Sequence, residues 1–174
     1  DMYAAIVDMI ESYMKTLSPS SIVIGCPDFW KQYIQKAIQS SSITKKPVYV
    51  TVTTVDRSMV TKLLSRPELH TLLQSQRLQK EQAFVDRLLE RLDKELVAYG
   101  FDDVESAAMM GAVSEVGITD DVLRKSREEG WYDRLNAILS TVDTSQGSVH
   151  FLKGETTAKV VDGLGGVVGI LRWK

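Results

Sequence analysis

The chain has 174 residues, of which 25% are charged and 44% are hydrophobic. These fractions lie near the averages of globular domains, so they exclude a disordered tail, a collagen-like chain and a disulfide-rich miniprotein. The single cysteine, Cys26, allows neither an intrachain disulfide nor a cysteine-based zinc site. No apolar run reaches the roughly 18 to 20 residues of a membrane span, and no secretory signal is visible near the start. The expected location is therefore the cytoplasm, with no membrane contact.

The formal net charge of −2 is divided unevenly between the two halves of the chain. Residues 1–75 carry eight Lys or Arg against six Asp or Glu, whereas residues 76–174 carry thirteen against seventeen. Neither half has the strong positive net charge that is typical of proteins that bind nucleic acid through its phosphates. Binding to RNA by charge alone is excluded, whereas weak or locally patterned RNA contact stays open.

Residues 1–75 predict alternating helices and strands. Apolar side chains recur at helical spacing over residues 2–17, and Pro19 ends that helix because the residue before a proline is pushed out of the α region. This alternation is typical of a parallel α/β layer with buried strands. The remaining predicted elements are a strand at 21–25, a helix at 28–39 with Asp28 as its N-cap, a strand at 48–52 and a helix at 57–64 that ends before Pro67.

Residues 76–174 predict a second α/β unit of about 100 residues, which is large enough to hold a core of its own. Its most periodic stretch is a long amphipathic helix over residues 77–97, with charged residues on the outer face. The boundary is placed near residues 66–77, which divides the chain into domains 1–75 and 76–174. The other predicted elements are helices at 102–110, 131–142 and 155–162 and strands at 112–119, 147–152 and 166–172.

Patterns that resemble functional motifs have structural explanations. The glycine-rich run at 163–169 follows a predicted helix and opens a strand, whereas a dinucleotide fingerprint follows a strand and opens a helix. It is therefore interpreted as a helix C-cap and a tight turn. The two histidines, His70 and His150, have no partner at ligand spacing, and His150 is interpreted as a packed or surface residue.

Acidic pairs lie near predicted helix starts, where carboxylates interact favourably with the helix dipole. That role explains them without a metal ion. Because no nucleophile–base pair is visible either, the residues predict no catalytic group, no metal site and no cofactor in this chain. The acidic pairs are Asp102-Asp103, Asp120-Asp121 and Glu128-Glu129.

Two aromatic pairs are less easily explained as core. Phe29 and Trp30 follow Pro27 directly after a predicted buried strand, and ligands of open α/β sheets gather beyond the carboxyl ends of strands. Adjacent helical residues are about 100° apart, so only one of the two rings can sit fully in the core. The other ring is a candidate partner contact. Trp131 and Tyr132, again at a helix start, form a second candidate pair.

Three segments resemble one family. Residues 97–124 carry the pattern YG…V…A…GAV…TD…LR, which resembles the third domain shared by Pelota and the class 1 translation termination factors of archaea and eukaryotes. Residues 22–30 are similar to the middle-domain strand and Pro-Gly-Phe loop of Pelota, and residues 164–173 to the family's terminal LGG…ILR segment. The segment after Asp120 is too short for the minidomain that release factors insert there. The chain is therefore identified as a member of the Pelota family, archaeal in type.

Two positions depart from the family pattern. Asp28 stands where the Pelota loop has glycine, and residues 53–64 lack the glycine-rich turn found in both subfamilies. The first departure affects any contact that depends on the loop backbone.

The resemblance implies a fold and a function. The fold is an RNase H-like middle-domain fragment at 1–75, followed by an L7Ae-like α/β/α sandwich at 76–174. The function is that of a ribosome-rescue and mRNA-surveillance factor. Such a factor enters a stalled ribosome with an elongation factor 1-alpha-like GTPase and promotes subunit separation with a recycling ABC ATPase. The resemblance also places the GTPase-binding loop at Pro27 and Phe29, with Trp30 beside it as a further candidate contact.

Two alternatives stay open at this point. A class 1 peptide release factor would carry a Gly-Gly-Gln motif ahead of Asp1. A metal-dependent endoribonuclease, an activity proposed for the family, would need a divalent metal at a site lying mostly outside this chain. Since no active site is visible, the chain is expected to bind partners rather than to catalyse a reaction.

Overall fold

The computed structural model describes residues 2–173. It divides the chain into unit 1, which ends at Leu73, and unit 2, which begins at Gln74, whereas the sequence places the division after residue 75. Both units belong to the mixed α/β class that the sequence predicts. No helix within the described residues is long and apolar enough to cross a membrane.

Unit 1 is built on two parallel strands. β1 (Val23–Cys26) pairs with β2 (Val48–Thr51), and α2 (Asp28–Gln39) connects them. α1 (Met2–Leu17) precedes the first strand, and α3 (Ser58–Leu64) follows the second. The order confirms the predicted alternation of helix and strand.

The core of unit 1 is small. Val7 of α1 and the pair Ile34 and Ile38 of α2 are buried together with Cys26 at the end of β1. Burial raises the pKa of the Cys26 thiol, so this cysteine acts as a small apolar core residue. Half-buried side chains complete the cluster, namely Tyr3, Ile10, Ile24, Trp30, Ala37, Ile43 and Tyr49.

The structure corrects the predicted helix 77–97 at both ends. α4 (Pro67–Leu92) begins at a proline, because the first helical position has no N–H partner to lose. At the other end the helix stops five residues early, and the amide of Leu96 donates to the Arg91 carbonyl at 3.0 Å. Residues beyond that turn form β3 (Val97–Tyr99), which buries Ala98 in the sheet.

Unit 2 contains a four-stranded mixed sheet in the order β3-β6-β4-β5. β4 (Val113–Thr119) runs parallel to β5 (Ser148–Leu152), whereas β6 (Val167–Leu171) lies antiparallel to both β4 and β3. The helices that connect these strands are α5 (Phe101–Met109), α6 (Asp120–Glu128), α7 (Tyr132–Thr144) and α8 (Glu155–Asp162).

Helices cover both faces of this sheet. On one face, α5, α6 and α7 pack against a buried cluster that includes Val116 and Ile118 of β4. On the other face, Phe84 and Leu88 of α4 pack with Val161 of α8. The arrangement confirms the α/β/α sandwich predicted for the second half of the chain.

The ring of Phe84 occupies a space that only glycine leaves open. A Cβ atom at Gly117 of β4 would collide with this fully buried ring. His150 of β5, the cross-strand neighbour of Gly117, stacks on Phe84 with a centroid distance of 4.5 Å. His150 is therefore a packed residue, as the sequence predicts.

A carboxylate links three elements beside this ring. Glu115 of β4 lies 2.8 Å from Nε2 of His150, and the Arg87 guanidinium of α4 donates to its two oxygens at 2.9 and 2.7 Å. Burial raises the pKa of Glu115, but the hydrogen bonds and charges of Arg87 and His150 outweigh burial. The pKa of Glu115 therefore lies below its ordinary value.

A second carboxylate, Glu81 of α4, holds the start of α8. Its Oε2 accepts hydrogen bonds from the amides of Lys153 and Gly154 at 3.2 and 2.8 Å and from the Thr157 hydroxyl at 2.6 Å. Its Oε1 lies 3.2 Å from Nε of Arg77. The first amides of a helix have no intrahelical partners, so the carboxylate satisfies groups that would otherwise be buried and unpaired.

Candidate functional site

The loop after β1 is short and tightly defined. Pro27 is the N-cap of α2, with φ −57° and ψ 146°, and its carbonyl accepts the amide of Trp30 at 3.0 Å. Asp28 is thus the first helical residue rather than the N-cap, because proline already occupies the capping position.

Phe29 and Trp30 separate as the helical geometry requires. Trp30 packs against the core of unit 1, whereas the Phe29 side chain is 67% exposed. Their rings meet edge to face with centroids 5.6 Å apart. The half-buried indole therefore supports a phenyl ring that projects from the surface, which confirms that only one of the pair packs against the core.

Tyr33 continues the exposed aromatic surface one turn after Phe29. Its side chain is exposed, and its ring stacks on Tyr3 of α1 with a centroid distance of 5.6 Å. Positions four apart on a helix share a face. Phe29 and Tyr33 therefore present one aromatic strip along the flank of α2.

The loop after β2 reaches the same edge of the sheet. The amide of Val52 donates to the carbonyl of Cys26 at 3.1 Å, so the chain leaves both parallel strands side by side. Val55 lies in this loop and is 62% exposed. Sequence reasoning missed Val55, although the rule that drew attention to Phe29 applies equally to the end of the second strand.

Asp56 fixes the shape of that second loop. One oxygen of its carboxylate accepts the Ser58 amide at 2.7 Å, the Ser58 hydroxyl at 2.5 Å and the Met59 amide at 3.2 Å. The hydrogen bonds from Ser58 and Met59 hold the pKa of Asp56 below its ordinary value. The carboxylate thus caps the start of α3.

α3 is anchored on the end of β1. A Cβ atom at Gly25 would lie 2.9 Å from Cδ1 of Leu63 and 3.5 Å from Cε of Met59, so the helix packs closely over this glycine. Arg66, just after α3, donates to the Thr51 carbonyl at 3.5 Å. The segment that follows β2 is therefore held against the sheet both through α3 and through Arg66, just after that helix.

The second aromatic pair is used inside unit 2. Trp131 meets the Phe101 ring edge to face at 5.0 Å, and its indole N–H donates to Glu129 at 2.9 Å. The guanidinium of Arg127 lies 5.1 Å from the centre of the Tyr132 ring. Trp131 therefore packs within the sandwich, and Tyr132 contacts Arg127 at the end of the preceding helix.

The remaining sequence candidates are structural as well. Gly163 is the C-cap of α8, and Gly166, with φ 78°, donates its amide to the Val161 carbonyl at 2.9 Å before β6 begins. This confirms the C-cap and turn. The pair Glu128-Glu129 lies at the end of α6 rather than at a helix start, where Arg124 offsets it. Across residues 2–173, no group of three or more His, Cys, Asp or Glu side chains could hold a metal ion.

A family match covers most of unit 2. Residues 78–174 match the family described as eRF1 domain 3. That range is more than half of the chain, so the chain belongs to the eRF1 domain 3 family.

Within that family, the similarity over the whole chain is to Pelota, as the sequence motifs predict. The chain is 29% identical to the Pelota homologue of Methanosarcina acetivorans over 182 aligned positions, which cover 100% of this chain and 50% of that protein. It spans about half the length of the curated relatives it matches. The resemblance to Pelota that the sequence motifs indicate is confirmed as a similarity over the whole chain.

Solved structures of this group share the fold. A model of ribosome-bound archaeal Pelota and ABCE1 covers 99% of this chain and 49% of its own, with a TM-score of 0.72 and 24% identity. Dom34 of S. cerevisiae, a translation termination-like factor that interacts with Hbs1, covers 98% of this chain and 52% of its own, with a TM-score of 0.57 and 21% identity.

Proposed function

We propose that this chain is part of a ribosome-rescue and mRNA-surveillance factor of the Pelota type and acts by binding in the cytoplasm. In this function it joins an elongation factor 1-alpha-like GTPase on a stalled ribosome and promotes separation of the subunits together with a recycling ABC ATPase. The chain needs no cofactor or metal for this role. The observation that carries the proposal is the exposed Phe29 on the Pro27 loop, in a chain similar to Pelota over its whole length.

The named relatives support the choice of partners. One archaeal Pelota has been described bound to the ribosome with ABCE1, and yeast Dom34 interacts with Hbs1. The curated relatives matched over most of the chain are Pelota homologues, which favours rescue over the release-factor alternative. The nuclease alternative gains no support from any side-chain cluster among the described residues.

The physical basis for GTPase binding is the geometry of the β1–α2 loop. Interfaces concentrate their binding energy in a few aromatic or arginine anchors, and rigid groups lose little entropy on binding. Phe29 has both properties, because it is exposed and because Pro27 and Trp30 define its position. Trp30 contributes by supporting that ring.

Titration calorimetry with the GTP-bound elongation factor 1-alpha-like GTPase tests the proposal. Phe29→Ala is expected to weaken binding by about 1–2 kcal/mol, the range of an interface anchor, while leaving the thermal unfolding midpoint unchanged. Tyr13→Ala is the matched control, because Tyr13 is a similarly exposed aromatic residue on α1. Absence of binding by the unmodified chain would refute the proposed function, and unchanged affinity of Phe29→Ala would remove this loop from the interface.

A further inference from the structure

We propose that the loop after β2, residues 52–57, forms the second half of the surface begun by Phe29, with Val55 as its apolar contact and an acidic protein face as its partner. The inference rests on the proposed function, because it takes the GTPase as that partner. It assigns a role to a segment that departs from the family pattern and that no motif explains.

Strand topology places the two loops together. β1 and β2 are parallel and in register from Val23 with Val48 to Cys26 with Thr51, so their carboxyl ends meet at one edge. The hydrogen bond from Val52 to Cys26 extends this pairing one step beyond the strands. Pro27 follows Cys26 and Thr53 follows Val52, so the two loops begin at neighbouring positions.

The second loop is ordered before any partner arrives. Its carboxylate, Asp56, accepts three hydrogen bonds from the first turn of α3, and Leu63 packs that helix onto Gly25. Ordering a loop on binding costs free energy, so a loop that is already fixed binds at a smaller cost. Val55 on such a loop could therefore contact a partner without a further cost of ordering the loop.

Charge around the two loops selects the partner. Lys31, Arg57, Lys62 and Arg66 lie on the segments that follow β1 and β2, against Asp28 and Asp56 as carboxylates. Asp56 keeps its negative charge while it caps α3, but four basic residues against two carboxylates leave these segments with a net positive charge. An apolar centre inside a charged rim is the usual anatomy of a protein interface, and a basic rim complements an acidic face.

Calorimetric titration with the same GTPase, loaded with GTP, tests this surface. Val55→Ala is expected to weaken binding twofold to fivefold, and Val55→Asp about tenfold or more, because it places a carboxylate opposite an acidic face. Arg57→Glu is expected to weaken binding more at low than at high salt, since salt screens exposed charges. The control is Leu17→Asp, an exposed apolar residue at the opposite, amino-terminal approach to β1.

The outcomes separate this inference from the proposed function. If Phe29→Ala weakens binding while both Val55 variants and Arg57→Glu bind within twofold of the unmodified chain, the loop is not part of the surface and the proposed function stands. If the unmodified chain does not bind the GTPase, both fail. If the Val55 variants keep GTPase binding but lose binding to a single-stranded RNA oligonucleotide, the partner is nucleic acid and the inference is overturned. Circular dichroism checks that each variant is folded, and Val55→Ala serves if Val55→Asp is not.

Discussion

The two units differ in how many of their apolar side chains they bury. Unit 2 covers both faces of a four-stranded sheet and buries clusters of eleven and seven residues, whereas unit 1 has two strands and a buried cluster of four. Unit 1 is the smaller of the two units. Among residues 2–173 it nevertheless exposes ten large apolar side chains, whereas unit 2 exposes seven. Unit 2 therefore buries more apolar residues in its own core, whereas unit 1 leaves more large apolar side chains exposed for contacts with a partner.

The difference also explains where the candidate site lies. A protein interface needs exposed apolar anchors on a rigid support, and these occur together at the carboxyl edge of the small sheet in unit 1. In unit 2 the aromatic residues that the sequence singled out are engaged by their neighbours. Folding stability is thus concentrated in unit 2, and partner binding is proposed for unit 1.

The most severe test of this comparison is to separate the units. Residues 74–174 alone are expected to unfold cooperatively in urea, because the sandwich contains its own core. Residues 1–73 alone are expected to lose the cooperative transition, since a two-stranded sheet with little core is marginal in water. Circular dichroism during urea titration measures both. A sharp transition from residues 1–73 would contradict the contrast between the units.

The next largest effect is expected in the core of unit 2. Phe84→Ala should lower the free energy of unfolding by about 3–5 kcal/mol, because it removes a fully buried aromatic ring and leaves a cavity. The control is Phe151→Ala on β5, whose ring is exposed and should matter far less. Urea denaturation of the two variants gives the comparison, and equal losses would show that burial does not govern stability here.

A smaller loss is expected from the buried carboxylate of α4. Glu81→Ala leaves the amides of Lys153 and Gly154 without their acceptor and removes one of the two acceptors of the Thr157 hydroxyl, which should cost about 1–3 kcal/mol. Glu155→Ala, an exposed carboxylate at the same helix start, is the matched control. The measurement is chemical denaturation at neutral pH. A loss no greater than that of the control would mean that water replaces Glu81 without penalty.

The smallest effect is a pH dependence. The pKa of Glu115 is lowered in the folded chain, so its contribution to stability is complete above the unfolded-state pKa and is lost as pH falls through the folded-state value. The stability difference between the unmodified chain and Glu115→Gln should therefore shrink on acidification below about pH 4. Denaturation midpoints at a series of pH values measure it. A difference independent of pH would show that Glu115 stabilises only as a hydrogen-bond acceptor.

Local sequence patterns predicted much of the fold. Helical periodicity and turn residues gave the bounds of α1, α2 and α8 to the residue. The strand β3 was missed because Val97 continues the apolar spacing of α4, and its strand conformation depends on pairing with Ile170, far along the chain. Pairing between distant segments leaves no local signal.

The candidate site was predictable only in part. The adjacency of Phe29 and Trp30 implied that one ring would be exposed, but which one depends on the packing of α2 against α1 and the sheet. Val55 lies in a loop without periodicity, and only its place after the carboxyl end of the second predicted strand could have drawn attention to it. The contacts of Glu81 join residues more than seventy positions apart, so no spacing rule could find them.

The close approach of Phe84 to Gly117 has a consequence for how the family can vary. A side chain at position 117 and an aromatic ring at position 84 would occupy the same volume. Close-packed interiors cannot relax enough to accommodate both. Either position alone should therefore tolerate substitution poorly, whereas Gly117→Ala combined with Phe84→Leu should recover much of the loss. Relatives that carry a larger residue at the strand position are therefore expected to carry a smaller one on the helix.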